Sequence, residues 1–225
     1  PVYFNYHGKS SKTNPAKGHT AIYGATGAGK NVLVSFMDAQ MERYGHRSFF
    51  IERDEASKIY VLSSPQSAYT VISPEHQATT HMNPFQLPDT EENRTFIKEW
   101  LKELVKKPGE TDLPSNIEGL LNDCVIYAYD ALDKPFRQLS HVVQCLPRSF
   151  ERWHELNRWL HEGPDRAAGQ FAWLFDNKKD ALQFDFDKVG FDVTWLMDDM
   201  PESISTPVYA YILHRMKQSM DGKRL

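Results

Sequence analysis

Hydrophobic positions change rhythm twice along the chain. In the first stretch, short apolar runs alternate with turn residues and a single helical stripe. His19-Thr-Ala-Ile-Tyr23 is a short run ending directly at a glycine-rich turn, which predicts a buried strand. From Lys30 to about Tyr44, Val32, Leu33, Phe36, Met37 and Met41 recur at helical spacing, and Gly45 supplies a stop. Ser48-Phe-Phe-Ile51 and Tyr69-Thr-Val-Ile72 are two further strands. Strand, helix, strand in that order favours a parallel sheet with a crossover helix.

The second stretch, from about Pro88 to Phe175, shifts to a period of 3.6. Phe96, Ile97, Trp100, Leu101, Leu104 and Val105 fall on one face, with Lys98, Glu99, Lys102 and Glu103 on the other. Thr90 or Asp89 caps this helix and Pro108-Gly109 ends it. Ser115-Asn-Ile-Glu118 reads as a capping box opening a second helix with the stripe Ile117, Leu120, Leu121, Cys124, Val125, Ala128, Leu132. Two more helical segments, near 139–146 and 150–160, are separated by Pro147, and Gly163-Pro164 closes the set. The expected packing of Trp153, Trp159 and Trp173 is within this bundle. His81-Met-Asn-Pro-Phe85, just before it, reads as a turn.

In the third stretch Leu182, Phe184 and Phe186 alternate with Gln183 and Asp185, which predicts a strand. A final helix is expected from about Thr206 to Met220, burying Val208, Tyr211, Ile212, Met216 and Met220. The fold class is therefore α/β, a mostly parallel sheet interrupted by an all-helical insertion. The expected divisions are 1–88, 89–175 and 176–225.

Composition narrows the function. Hydrophobic content of 40% and charged content of 25% over 225 residues fit a globular chain, and the net charge of -4 speaks against a strongly basic nucleic-acid or membrane-surface binder. No apolar run approaches the roughly 18 residues of a membrane-spanning helix. Cys124 and Cys145 are too few for a disulfide framework, and a cytoplasmic setting is the expectation. Nine histidines without H-E-x-x-H spacing give no zinc motif.

Gly24-Ala-Thr-Gly-Ala-Gly-Lys30 carries the chemistry. It fits the G-x-x-x-x-G-K pattern of a phosphate-binding loop, preceded by a strand and followed by a helix. Glycines let the backbone turn its N–H groups toward phosphate oxygens, and the helix N-terminus adds roughly half a positive charge. The nucleotide-binding segment is Gly24, Ala25, Thr26, Gly27, Ala28, Gly29, Lys30, Asn31 and Val32, with ATP and Mg²⁺ as cofactors. Lys30 is the expected catalytic cation on the β/γ-phosphates. Asn31 stands where a hydroxyl residue ordinarily ligates Mg²⁺. Its carboxamide oxygen is a neutral hard donor one bond further from the backbone, which weakens a metal that demands near-ideal distances. Glu52 and Asp54, after the second strand, are candidates to orient a water or stand in the metal's outer shell.

These residues and the order around them resemble the conjugal-transfer ATPases of type IV secretion systems, the CagE/TrbE/VirB family related to the HerA–FtsK motors. The resemblance runs through Pro1-Val-Tyr-Phe-Asn-Tyr-His7, Gly18–Lys30, Phe50-Ile-Glu-Arg-Asp54 and Asn83-Pro-Phe-Gln-Leu87. It continues through Leu174–Asp180, Gly190-Phe-Asp-Val-Thr194 and Thr206–Arg215.

The resemblance implies a RecA-like P-loop core with a helical subdomain, working as a homo-oligomer (hexamer or dimer). It also implies a cytoplasmic machine docked on inner-membrane secretion components, whose Walker B acids follow the segment ending in Asp221-Gly222. The chain is thus expected to be a fragment truncated before Walker B, inactive or weakly active alone. Two rivals remain open here: a nucleotide-responsive assembly subunit with weak hydrolysis because of Asn31, and a DNA-pumping motor.

Overall fold

The computed structural model describes residues 19–161 and 168–220. The segment Pro1–His7, Gly18, the Gly163-Pro164 stop and residues 221–225 lie outside them. The chain divides into two compact units between Glu42 and Arg43.

The first unit holds the glycine loop and helix α1, Lys30–Met41, which tightens into a 3-10 turn over Glu42–Tyr44. Gly45, at φ +66°, then stops the helix. The expected strand at 19–23 is not formed, and Tyr23 is 91% exposed. A strand exists only where a neighbour takes its backbone groups, and these residues join no ladder. None of α1's residues is buried; Val32 and Phe36 are 74% and 61% exposed.

The second unit is built on a parallel sheet of β1 (Ser48–Glu52), β2 (Ser67–Val71) and β3 (Lys188–Asp192), in the order β1-β3-β2. The predicted strand over Leu182–Phe186 is a correction: that segment makes no ladder, and the third strand begins at Lys188. Leu182 and Phe184 are buried all the same, so the alternation correctly reported which side chains face the core but not where the backbone pairs.

Gly190 explains why the central strand must contain a glycine. It sits in register between Phe50 and Tyr69, and a Cβ there would meet the Tyr69 ring at 2.4 Å. On this face α2 (Lys58–Leu62) covers the sheet, and Tyr60 stacks edge-on against Phe50 and takes a hydrogen bond from Lys188 Nζ at 2.7 Å. The opposite face sends Phe49 and Phe191 against Phe184.

That apolar face continues into the helices as one core. Helix α3 (Glu91–Val105) is capped by Thr90, whose Oγ1 accepts from Asn93 N–H, and Glu91 and Glu92 favour its positive end. Its stripe buries Ile97, Trp100, Leu101, Leu104 and Val105; Trp100 packs edge-on against Phe85 and Phe175. Helix α4 (Ser115–Asp130) does not use the predicted capping box. Pro114's carbonyl already accepts from Ile117 and Glu118 N–H, so Ser115 is the first helical residue rather than the cap.

Shorter helices follow: α5 (Leu139–Val142), running on as a 3-10 turn to Cys145, then α6 (Trp153–Asn157) and α7 (Ala172–Phe175). Trp159 and Trp173 are buried, the first donating to Leu104 O at 3.1 Å. Trp153 is partly buried against the same core and donates to Pro147 O at 3.0 Å. After β3 come α8 (Thr194–Asp198) and α9 (Glu202–Ser219). Helix α9 starts four residues before the predicted Thr206 and runs through Pro207, and Met220, expected on its buried stripe, lies just past its end and is 61% exposed. A proline near the first turn forfeits one hydrogen bond, and burying Ile204, Ser205, Val208, Tyr211 and Ile212 outweighs that loss.

Candidate functional site

The glycine loop forms a tight turn. Ala28 N–H donates to Ala25 O at 3.1 Å, and Gly27 and Gly29 adopt φ +79° and +82°, a region that strains any residue with a Cβ. Gly29 is the N-cap of α1. With no side-chain cap and no acidic residue in the first turn, the helix keeps its N-terminal N–H groups and positive end free of a competing carboxylate. Lys30 folds back so that Nζ donates to Gly24 O at 2.7 Å and Ala25 O at 2.9 Å, which holds the ammonium against the loop. Loop residues 24–29, Asn31 and Val32 are exposed, so all the predicted nucleotide-binding positions come together in one accessible segment.

This donor set fits a polyphosphate: backbone N–H groups at an uncapped helix start, plus one mobile cation. For Mg²⁺ the residue in place is Asn31, whose exposed carboxamide oxygen is the available side-chain donor next to Lys30.

The predicted carboxylates belong to the second unit, at the carboxyl end of the sheet. Glu52 ends β1, and its two oxygens accept from Ser57 N–H at 2.8 Å each, while Oε1 also accepts from Tyr69 Oη at 2.6 Å. Burial, together with the hydrogen bond and charge of Glu52, holds the Tyr69 phenol protonated far above its ordinary range, so it remains a donor. The chain then turns through Asp54 and Glu55, both with positive φ at 62° and 49°. Such a backbone persists only when its surroundings over-determine it. Here Asp54 N–H donates to Thr194 Oγ1 at 2.7 Å, and Glu55 N–H donates to Asp192 Oδ2 at 2.8 Å. Asp54's own carboxylate is exposed, 3.7 Å from Arg53 Nε.

Sequence reasoning missed Tyr69, Asp192 and Thr194. A signal was present in Gly190-Phe-Asp-Val-Thr194. A glycine marks a close approach, and Asp-x-Thr is a turn in which Asp192 Oδ1 accepts from Thr194 N–H at 3.2 Å. The structure thus brings Glu52, Tyr69, Asp192 and Thr194 into one hydrogen-bonded rim, with Asp54 presented outward from it.

The second unit is an α/β fold on a three-stranded parallel sheet, and in the first unit a glycine loop ends on an uncapped helix. The fold is that of VirB4 from Thermoanaerobacter pseudethanolicus, matched with a TM-score of 0.65 at 13% identity over 89% of this chain and 56% of that one. No family model matches the chain. Among curated proteins the chain is similar to type IV secretion system proteins. They include virB4 of Brucella abortus at 28% identity over 242 aligned residues and PtlC of Bordetella pertussis at 28% over 238, each covering all of this chain. A third, virB4 of Bartonella henselae, is 28% identical over 233 residues. The resemblance read from the sequence is therefore to the VirB4/PtlC proteins of type IV secretion, and the chain spans 28% of the length of the first two.

Proposed function

We propose that this chain is the nucleotide-binding core of an ATPase that energises type IV secretion or conjugative transfer. The observation that carries the reading is the loop at 24–30, whose two left-handed glycines end on an uncapped helix with Lys30 folded against it. Bound ATP with Mg²⁺ supplies the phosphoanhydride bond and the charge neutralisation for its cleavage. The loop N–H groups hold the phosphates, Lys30 exchanges its carbonyl partners for phosphate oxygens, and Asn31 offers the metal an amide oxygen. Glu52 is held on two sides by Ser57 and Tyr69, which suits orientation of a water better than free proton transfer. Asp54 is the exposed carboxylate of the same turn. Residues 89–175 form the helical insertion, and a homo-oligomer working with inner-membrane secretion components couples hydrolysis to export or pilus assembly.

Calorimetric titration with a non-hydrolysable ATP analogue, with and without Mg²⁺, tests the site. Lys30→Ala is expected to weaken binding at least tenfold while the thermal midpoint stays within about 2 °C, since Lys30 lies on a helix with no buried residue. Equal affinity in the variant would refute the phosphate-loop reading. A second reading, a nucleotide-responsive assembly subunit with weak hydrolysis, is favoured by Asn31. In the full-length protein Asn31→Thr separates the two: a large gain in Mg²⁺-dependent turnover supports it, and unchanged turnover removes its basis.

A further inference from the structure

The helical region carries one reactive pair that the nucleotide chemistry does not use. Cys124 lies on the buried stripe of α4, and Cys145 closes the 3-10 turn after α5, where it is exposed. Both are free thiols, and their sulfurs are 3.1 Å apart. A disulfide has an S–S distance of about 2.05 Å, so roughly 1 Å of closure separates the pair from a bond. The two residues are 21 positions apart in sequence and sit on elements already packed together, so the bond closes without unfolding either.

We propose that Cys124 and Cys145 form a reversible disulfide, a redox-sensitive clasp joining α4 to the turn after α5. The roles of the two sulfurs differ. The hydrogen bond from Cys124 holds the Cys145 thiol below its ordinary range, while that same contact and burial push Cys124 up. Cys145 is also the exposed sulfur of the pair, so an oxidant reaches it first and it is the attacking thiol. With hydrogen peroxide as oxidant, its sulfur takes one oxygen, hydroxide leaves, and Cys145 becomes a sulfenic acid. Cys124 then attacks that sulfur, the S–O bond breaks, water leaves with the thiol proton, and the disulfide is formed. A dithiol reductant reverses the step by thiol–disulfide exchange.

The experiment uses the whole chain, reduced and then exposed to a stoichiometric amount of peroxide. Intact mass and alkylation are expected to show loss of two hydrogens and of both reactive thiols in a monomer, restored by dithiothreitol. The thermal midpoint should rise by roughly 5–10 °C on oxidation, since a loop of this size is removed from the unfolded ensemble. Cys145→Ser, at an exposed position, should fold as the parent does and lose both the mass change and the midpoint shift. In Cys124→Ala, a sulfenic acid should accumulate at Cys145 and be trapped by dimedone. Two thiols still open to alkylation after peroxide, or a disulfide appearing only between molecules, would overturn the proposal.

Discussion

The glycine-loop unit and the helical part of the second unit are opposites. The first carries the recognisable chemistry and buries none of α1's residues; the second carries a continuous core around Trp100, Trp159 and Phe175. The proposed phosphate loop needs only a few backbone angles and one lysine, and so it can sit at the surface. A 12-residue helix with no buried face is marginal by propensity alone, whereas α3 is secured by six buried side chains and a cap. Binding chemistry and folding energy thus reside in different residues, and substitutions should separate them.

The largest expected effect is in the core. Trp100→Ala removes a fully buried indole wedged between Phe85 and Phe175 and should cost about 3–5 kcal/mol. A urea midpoint measurement checks this, and a cost below about 1 kcal/mol would mean that the core rearranges around the loss. Next comes Gly190→Ala. Its Cβ would meet the ring carbons of Tyr69 at 2.4 and 2.6 Å, so the ring must move off the central strand, at about 1–3 kcal/mol. The same movement should break the Tyr69–Glu52 hydrogen bond. A Tyr69→Phe variant lacking further loss in the Gly190→Ala background would establish that coupling.

How much of this was legible in the sequence follows from the same contrast. Local signals were reliable where one residue determines the geometry: Gly27, Gly29 and Gly45 take positive φ, and Thr90 caps α3. Periodicity found the stripes of α3, α4 and α9 because burial selects side chains by face. It failed where backbone pairing or carbonyl geometry decides. Leu182 and Phe184 alternate and are buried, yet the ladder forms six residues later, at Lys188–Asp192, because register there depends on β1 and β2. Ser115 has a capping-box sequence, but Pro114's carbonyl starts the helix one residue earlier. The last helix was expected from about Thr206, and α9 starts at Glu202 with Pro207 inside it. At the site, the loop was readable as a motif. The clasp of Glu52 by Tyr69 was not, since it depends on a glycine 121 positions away in another strand.

Phe36→Ala tests the other side of the contrast. Phe36 is 61% exposed on a helix with no buried residue, so truncation should alter stability by less than about 0.5 kcal/mol. A measured cost above about 1.5 kcal/mol would show that α1's apolar face is covered in solution and would collapse the distinction between the two regions.

The smallest effect concerns the seam between α3 and α9, and it shows itself through pH. His214 stacks flat on Phe96 with ring centroids 3.8 Å apart, and its Nε2 lies 2.8 Å from Asn93 Oδ1. Burial lowers its pKa, against the pull of Glu92 and in the same direction as Lys217 and Arg215. A folded-state pKa below the unfolded value means that the unfolded chain binds the proton more readily. This contribution to stability is therefore complete above the ordinary histidine value of about 6.5 and is lost as pH falls through the folded value. Urea midpoints at pH 7.5 and 5 should accordingly fall more steeply on acidification in the parent than in His214→Gln, which keeps a donor for Asn93 but cannot take the charge. Equal slopes would mean that water reaches the imidazole, and that this seam resembles the open helix of the first unit more than the closed core of the second.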